Sequence, residues 1–132
     1  MKKTYTGSCH CGRVRIEADL DLSKGTARCN CSICTKTRTW MTFTGADGFR
    51  LVAGKEELRD YQFGAMKLHH PFCKHCGVRL FARGVDAKGN DTYAVRLSCL
   101  DDAVPEELLA GPVQFFDMRH DTPQPPAETR HL

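Results

Sequence analysis

The sequence predicts a mainly β protein, built of small zinc-stapled β-sheets with at most one or two short helices. Three observations predict it. Two segments, Arg13–Leu20 and Thr92–Leu100, alternate polar and apolar residues with the period of a half-buried strand. Helical periodicity is scant. Seven of the eight cysteines fall in three short-spaced groups at the ends of predicted strands.

The elements follow in chain order. In Arg13–Leu20, Val14, Ile16, Ala18 and Leu20 share one face of the strand. Ser32–Thr37 reads as a turn of helix. Thr39–Thr44 is rich in β-branched and aromatic residues and reads as strand. Phe49–Ala53 is a strand after the turn at Gly45–Gly48. Leu58–Phe63 and Met66–His70 are strands split by Gly64. Val78–Arg83 is a strand leaving the third cysteine group. Lys88-Gly89-Asn90-Asp91 is a turn. Thr92–Leu100 puts Tyr93, Val95, Leu97 and Cys99 on one face. Val104–Ala110 is a short helix, with Pro105 in its first turn and Gly111-Pro112 beyond its end. Val113–Asp117 is the last strand. No repeat or linker divides the chain, so residues 1–120 read as one zinc-binding β domain. Residues 121–132, with three prolines and little to bury, read as a loose C-terminal tail.

The bulk composition narrows the function. The 132 residues are 41% hydrophobic and 27% charged, with a formal charge of +3. No run of lysine and arginine interleaves with aromatics, so nucleic acid is not an expected partner. No apolar run approaches the roughly 18 residues that span a membrane, and no apolar signal region follows Met1-Lys2-Lys3-Thr4-Tyr5. The expected setting is the cytoplasm. There, short-spaced thiols point to a metal site ahead of disulfides, iron–sulfur or redox dithiols.

The groups are Cys9-His10-Cys11, Cys29-Asn30-Cys31-Ser32-Ile33-Cys34 and Cys73-Lys74-His75-Cys76-Gly77. The last has the form of a zinc knuckle, and Gly77 can take the positive φ that such a turn needs. Cys9 and Cys11 can put two sulfurs on one side of an extended chain. Two plus two gives a tetrahedral site of four cysteines, worth about 10–16 kcal/mol when zinc is bound. The middle group then has three ligands. Three protein ligands plus an exchangeable position is the pattern of a catalytic zinc. A trithiolate zinc is a weak Lewis acid but thiophilic, which favours thiol activation over water activation.

Other arrangements fit the same residues. The seven cysteines could share one four-sulfur site and leave three ordinary thiols. His10, His69, His70 or His75 could close the middle site, and His69-His70 is the better pair for a fourth ligand or proton carrier. Cys99 reads as a buried core thiol. Lys36 and Arg38, with Arg13, Lys74 and Arg79 beside the other groups, could form an anion-attracting rim or a solvated surface. Trp40 reads as a core-edge residue or a pocket wall.

The stretches GSCHCGRVRIE (Gly7–Glu17), CNCSICTKT (Cys29–Thr37), FCKHCGVRLFARG (Phe72–Gly84) and AVRLSCLDD (Ala94–Asp102) resemble the glutathione-dependent formaldehyde-activating enzyme family, which also contains centromere protein V. FFDMRH (Phe115–His120) is similar to its C-terminal strand. The resemblance implies a β-tent-like fold and two zincs per chain. It implies that Cys9, Cys11, Cys73 and Cys76 hold a structural zinc, and that Cys29, Cys31 and Cys34 hold a second, exchangeable one as the catalytic centre. It also implies a carbon–sulfur lyase or synthase joining a small thiol such as glutathione to an aldehyde such as formaldehyde, giving S-hydroxymethylglutathione. The family's centromere branch implies the alternative, a non-catalytic zinc scaffold that binds a protein or nucleic-acid partner. Many members have a small-residue turn where this chain has Thr37-Arg38-Thr39-Trp40.

Overall fold

The computed structural model describes residues 1–132 as ten strands in three sheets with two short helices. β1 (Lys3–Ser8), β2 (Arg15–Leu20) and β5 (Phe49–Ala53) form an antiparallel sheet with β2 in the centre. β3 (Thr26–Cys29), β4 (Trp40–Gly45), β8 (Phe81–Val85), β9 (Asp91–Arg96) and β10 (Val113–Phe116) form a second sheet in the order β10-β3-β4-β9-β8. Its β10–β3 pair is parallel and the rest are antiparallel. β6 (Leu58–Tyr61) and β7 (His70–Cys73) make a two-stranded ribbon. α1 spans Ser32–Thr37 and α2 spans Pro105–Leu108. Neither helix is long and apolar enough to cross a membrane.

The alternation in β2 sets the inner face of the first sheet. Ile16, Ala18 and Leu20 are buried, while Glu17 and Asp19 face outward and pair with Arg50 of β5. The principal core lies between this face and the β8–β9 side of the second sheet, with Leu80, Val95 and Leu97 almost fully buried. Phe49 stacks on Tyr93 at 4.1 Å between centroids and tilts against Phe81 at 4.6 Å. A smaller cluster of Ala27, Cys29, Cys34 and Met41 sits where β3, α1 and β4 meet.

Several boundaries differ from the sequence reading, each for a local reason. β1 and β3 are additional strands. Only Tyr5 and Gly7 are buried in β1, and β3 is four residues long, so neither shows a usable period. β2 starts at Arg15, because Val14 closes the Cys9 turn by accepting the Cys9 N–H. The strand expected at Met66–His70 lies instead at His70–Cys73. Gly64 and Met66 both adopt positive φ, and Gln62 donates to the Met66 carbonyl, so this stretch turns twice. The strand expected from Val78 begins at Phe81, since Val78 closes the Cys73 turn. Thr92–Leu100 leaves extended structure at Arg96 and ends in a 3-10 turn at Leu97–Cys99. The final residues are laid against the body: Leu132 is buried, and its carbonyl accepts from Arg38 Nη2 at 3.4 Å.

Candidate metal centres

The structure brings the cysteines together in two separate groups. Cys9, Cys11, Cys73 and Cys76 have all four sulfurs within 4.8 Å of one another, and so do the three sulfurs of Cys29, Cys31 and Cys34. Both groups can hold a metal ion. The four-sulfur group shows Sγ···Sγ distances of 3.6 Å for Cys9–Cys11 and 3.7 Å for Cys11–Cys73. Tetrahedral zinc with bonds of about 2.3 Å requires sulfurs about 3.8 Å apart. Spacing and donor softness therefore fit zinc.

Two turns of the same design build the four-sulfur group. In one, the Cys73 N–H donates to Val78 and the Gly77 N–H donates back to Cys73. In the other, the Cys9 N–H donates to Val14 and the Gly12 N–H donates to Cys9. Gly77 and Gly12 take φ of 76° and 82°, where a side chain would be strained. Gly12 was not singled out in the sequence; it is the counterpart of Gly77. The turns aim backbone N–H groups at sulfur, as Val14 does at Cys9 Sγ, 3.3 Å away. The Arg13 N–H and side chain hold the Cys11 thiol below its ordinary range, and burial pushes Cys73 up. The cluster thus shares negative charge unevenly.

The three-sulfur group comes from one short segment. Cys29 ends β3, Cys31 caps α1 and Cys34 lies in its first turn. The Cys31 N–H donates to Cys29 Sγ at 3.3 Å. Interaction with the neighbouring Cys29 and Cys34 sulfurs puts the Cys31 thiol below its ordinary range and Cys29 above it. No His, Asp or Glu ligand atom lies within 4.8 Å of all three sulfurs. His69 instead pairs with Asp60, His75 pairs with Glu57, and His10 is exposed.

These sulfurs form one wall of a cavity of about 550 Å³, and His70, Arg83 and Arg96 are its other ionisable lining groups. Of the two readings for Lys36, Arg38, Arg13, Lys74 and Arg79, the first four do not form an anion-attracting rim at this cavity. Lys36 and Arg38 are exposed outside the cavity, Arg13 serves Cys11, and Lys74 reaches Glu56 and Glu57. Trp40 borders a smaller polar recess, with its Nε1 donating to Thr26.

The cations near the three sulfurs are Arg96 and Arg79. Arg96 is 6% exposed and neither arginine has a carboxylate partner. Burial, then the neighbouring Arg79, lowers Arg96 to about 10; the charge of Cys34 opposes this. The anions available to this pair are the cysteine sulfurs. Arg79 Nη2 lies 2.9 Å from His70 Nδ1. A guanidinium only donates, so Nδ1 accepts and the ring proton sits on Nε2. Burial, then Arg79, lowers the His70 pKa and keeps the ring neutral, and its buried Nε2 has no protein partner. Arg96 was invisible in the sequence, because alternation assigns it to the solvent face of β9.

A polar brace also went unread. Asn30, between Cys29 and Cys31, is buried and donates to Asp117 Oδ1 at 2.8 Å. Its Oδ1 accepts the Arg119 N–H, and its carbonyl accepts from Arg119 Nε and Thr35 Oγ1. Asp117 also accepts from the N–H and Nδ1 of His120. The cysteine turn is thereby tied to the chain after β10. Cys99 is the expected core thiol; burial raises it to about 11, and its Sγ donates to the Arg79 carbonyl.

A family model described as glutathione-dependent formaldehyde-activating enzyme matches residues 4–118. A crystal structure of a Rhodobacter sphaeroides protein is 31% identical in sequence, with a TM-score of 0.68. The match covers 82% of this chain and 98% of that one.

Proposed function

The chain belongs to the glutathione-dependent formaldehyde-activating enzyme family, and from that premise we propose that it is a zinc-dependent carbon–sulfur lyase or synthase. The reaction joins a small thiol such as glutathione to an aldehyde such as formaldehyde. The sulfur–carbon bond forms, the carbonyl π bond breaks, and the thiol proton ends on the new hydroxyl. The reverse is the lyase direction.

One observation carries the reading: three converging sulfurs with no fourth protein donor open onto a cavity of about 550 Å³. Cys29, Cys31 and Cys34 would hold the exchangeable zinc, and Cys9, Cys11, Cys73 and Cys76 the structural one. Zinc bound by three thiolates would keep an incoming thiol as its thiolate at neutral pH, the nucleophile that a carbonyl carbon requires. Arg79 and Arg96 provide fixed positive charge beside a centre that gains negative charge when the thiolate arrives. His70 lines the same cavity with a neutral ring, so it adds no charge to the reacting centre. The apolar walls keep water away from the adduct.

The test is metal analysis with cobalt substitution. Two metals per chain are expected, and glutathione should alter the cobalt spectrum of one of them. Formation of S-hydroxymethylglutathione no faster than the uncatalysed reaction would remove the formaldehyde reading.

A further inference from the structure

We propose that the cavity beside Cys29, Cys31 and Cys34 receives an apolar substituent, aromatic or branched alkyl, carried by the aldehyde or by the thiol. This rests on the reading above and specifies its substrate class. A one-carbon aldehyde fills on the order of one or two water volumes, about 30 Å³ each. The cavity of about 550 Å³ is far larger, so most of its space is left to the thiol's substituent or to a bulkier aldehyde. Nine of its seventeen lining residues are hydrophobic, the three cysteines apart. Enclosing a small polar aldehyde does not require such walls.

The apolar residues also cluster at the mouth. Phe43, Leu68 and Met118 are 55%, 52% and 52% exposed, and all three line this one cavity. Single exposed hydrophobics are ordinary, but a contiguous set around a site marks a binding surface. They come from separate places: Phe43 from β4, Leu68 from the segment before β7, and Met118 from beyond β10. Phe116 of β10 meets Phe43 edge-on at 6.4 Å. Leu68 can lie close over β8 because Gly84 has no side chain; a Cβ there would stand 2.7 Å from Leu68 Cδ2. Met41 and Met118 give the walls adaptable shape.

Charge bears on the glutamyl end of glutathione. The lining has no aspartate or glutamate, so the ammonium of a glutamyl group would have no counter-ion inside. Arg83 faces Asp91 at 3.8 Å. The sulfur wall requires the occupant to carry a group that reacts there. An apolar group next to a thiol or carbonyl satisfies walls and sulfurs together.

The experiment uses the protein as purified with its metals. Turnover is measured for glutathione or phenylmethanethiol, each with formaldehyde or phenylacetaldehyde. Binding of phenylmethanethiol, and separately of phenylacetaldehyde, is followed by NMR of ¹³C-methyl methionine at Met41 and Met118. The expected result is a kcat/KM at least about tenfold higher for the arm carrying the phenyl group, the discrimination that one methylene gives in a hydrophobic pocket. The phenyl compound should shift both methyl signals. Leu68→Asp should weaken that binding at least about fivefold, with both metals retained. Best turnover with glutathione and formaldehyde, without methyl shifts, overturns the proposal and leaves the family activity standing. Methyl shifts that Leu68→Asp abolishes, with no pair turned over, support the cavity's ligand class and remove the lyase reading instead. A dimer disrupted by Leu68→Asp, with no ligand shifts, overturns the proposal in favour of a second copy covering this face.

Discussion

Replacing Asn30 with alanine tests whether the three-sulfur site depends on a support outside its ligands. Asn30 is 6% exposed and Asp117 is 7% exposed, so water replaces neither partner easily. The Asn30 Nδ2–H···Asp117 bond of 2.8 Å involves a carboxylate, worth about 1.5–3 kcal/mol. The Arg119 N–H···Asn30 Oδ1 bond of 3.0 Å is between neutral groups, worth about 0.5–1.5 kcal/mol. Together they hold the Cys29–Cys31 turn by about 2–4.5 kcal/mol. Asp117 keeps its bonds from His120, so the fold survives while the turn loosens. Loss of such outer support typically lowers metal affinity by about 10–100-fold. The assay is zinc competition against a chromophoric chelator, resolving two metals per chain. The weaker metal should move by that factor and the four-sulfur metal should stay. A double variant with Asp117→Ala should lose little more than either single change, because the two side chains form one unit. An unchanged chelator midpoint for the three-sulfur metal, with the fold intact, would show that the turn is rigid by itself and refute the reasoning.

Other perturbations separate the two centres. Cys31→Ser should lose one metal and keep the fold, read by metal analysis with circular dichroism. Cys73→Ser removes a fully buried sulfur from the group that zinc would stabilise by about 10–16 kcal/mol, and should yield unfolded protein in the same measurements. Arg96→Met removes the buried cation whose available anions are the cysteine sulfurs, and should lower stability in urea by up to about 3–5 kcal/mol. The same variant should bind thiols more weakly by titration, having lost positive charge beside the sulfurs. Burial, then the Glu107 carboxylate, raises the Tyr5 phenol to about 12. A folded pKa above the unfolded value of 10.0 contributes stability that is intact below pH 10 and is lost as pH rises towards 12. Absorbance at alkaline pH should show one late tyrosine, absent in Tyr5→Phe.

Much of this was legible in the sequence, because the informative features are local. The alternation of Val14, Ile16, Ala18 and Leu20 needs only neighbouring residues, and β2 lies where it indicates. The C-x-C and C-x-x-C-G spacings restrict their own turns, and those turns converge on one four-sulfur group. Features that depend on distant partners were not legible. β1 gains its order from pairing with β2, with only Tyr5 and Gly7 turned inward. Arg96 looked like a solvent-side residue, since nothing in β9 itself shows that Met41 beside it and the Cys29–Cys34 segment share that face. Asn30 sits 87 residues from Asp117, and neither carries a signature of the other.

The contrast between the two centres follows from how many chain segments each recruits. The four-sulfur group draws on two turns about sixty residues apart, so it closes itself and ties the two turns together. The three-sulfur group is supplied by six consecutive residues, and the chain then enters α1, which carries later side chains away. A fourth donor must come from another element. The elements that approach bring Arg79, Arg96, His70 and apolar side chains, and the one candidate ligand among them, His70, has its Nδ1 engaged by Arg79. Converting the site to a closed one therefore takes two changes: releasing His70 from Arg79 and moving its ring towards the sulfurs. Arg79→Met performs the first without the second. If the openness is set by backbone placement, that variant should still show an exchangeable cobalt spectrum with glutathione. If it is set by the Arg79 hydrogen bond alone, the spectrum should stop responding to thiol, and the reading of an open site built into the fold would be wrong.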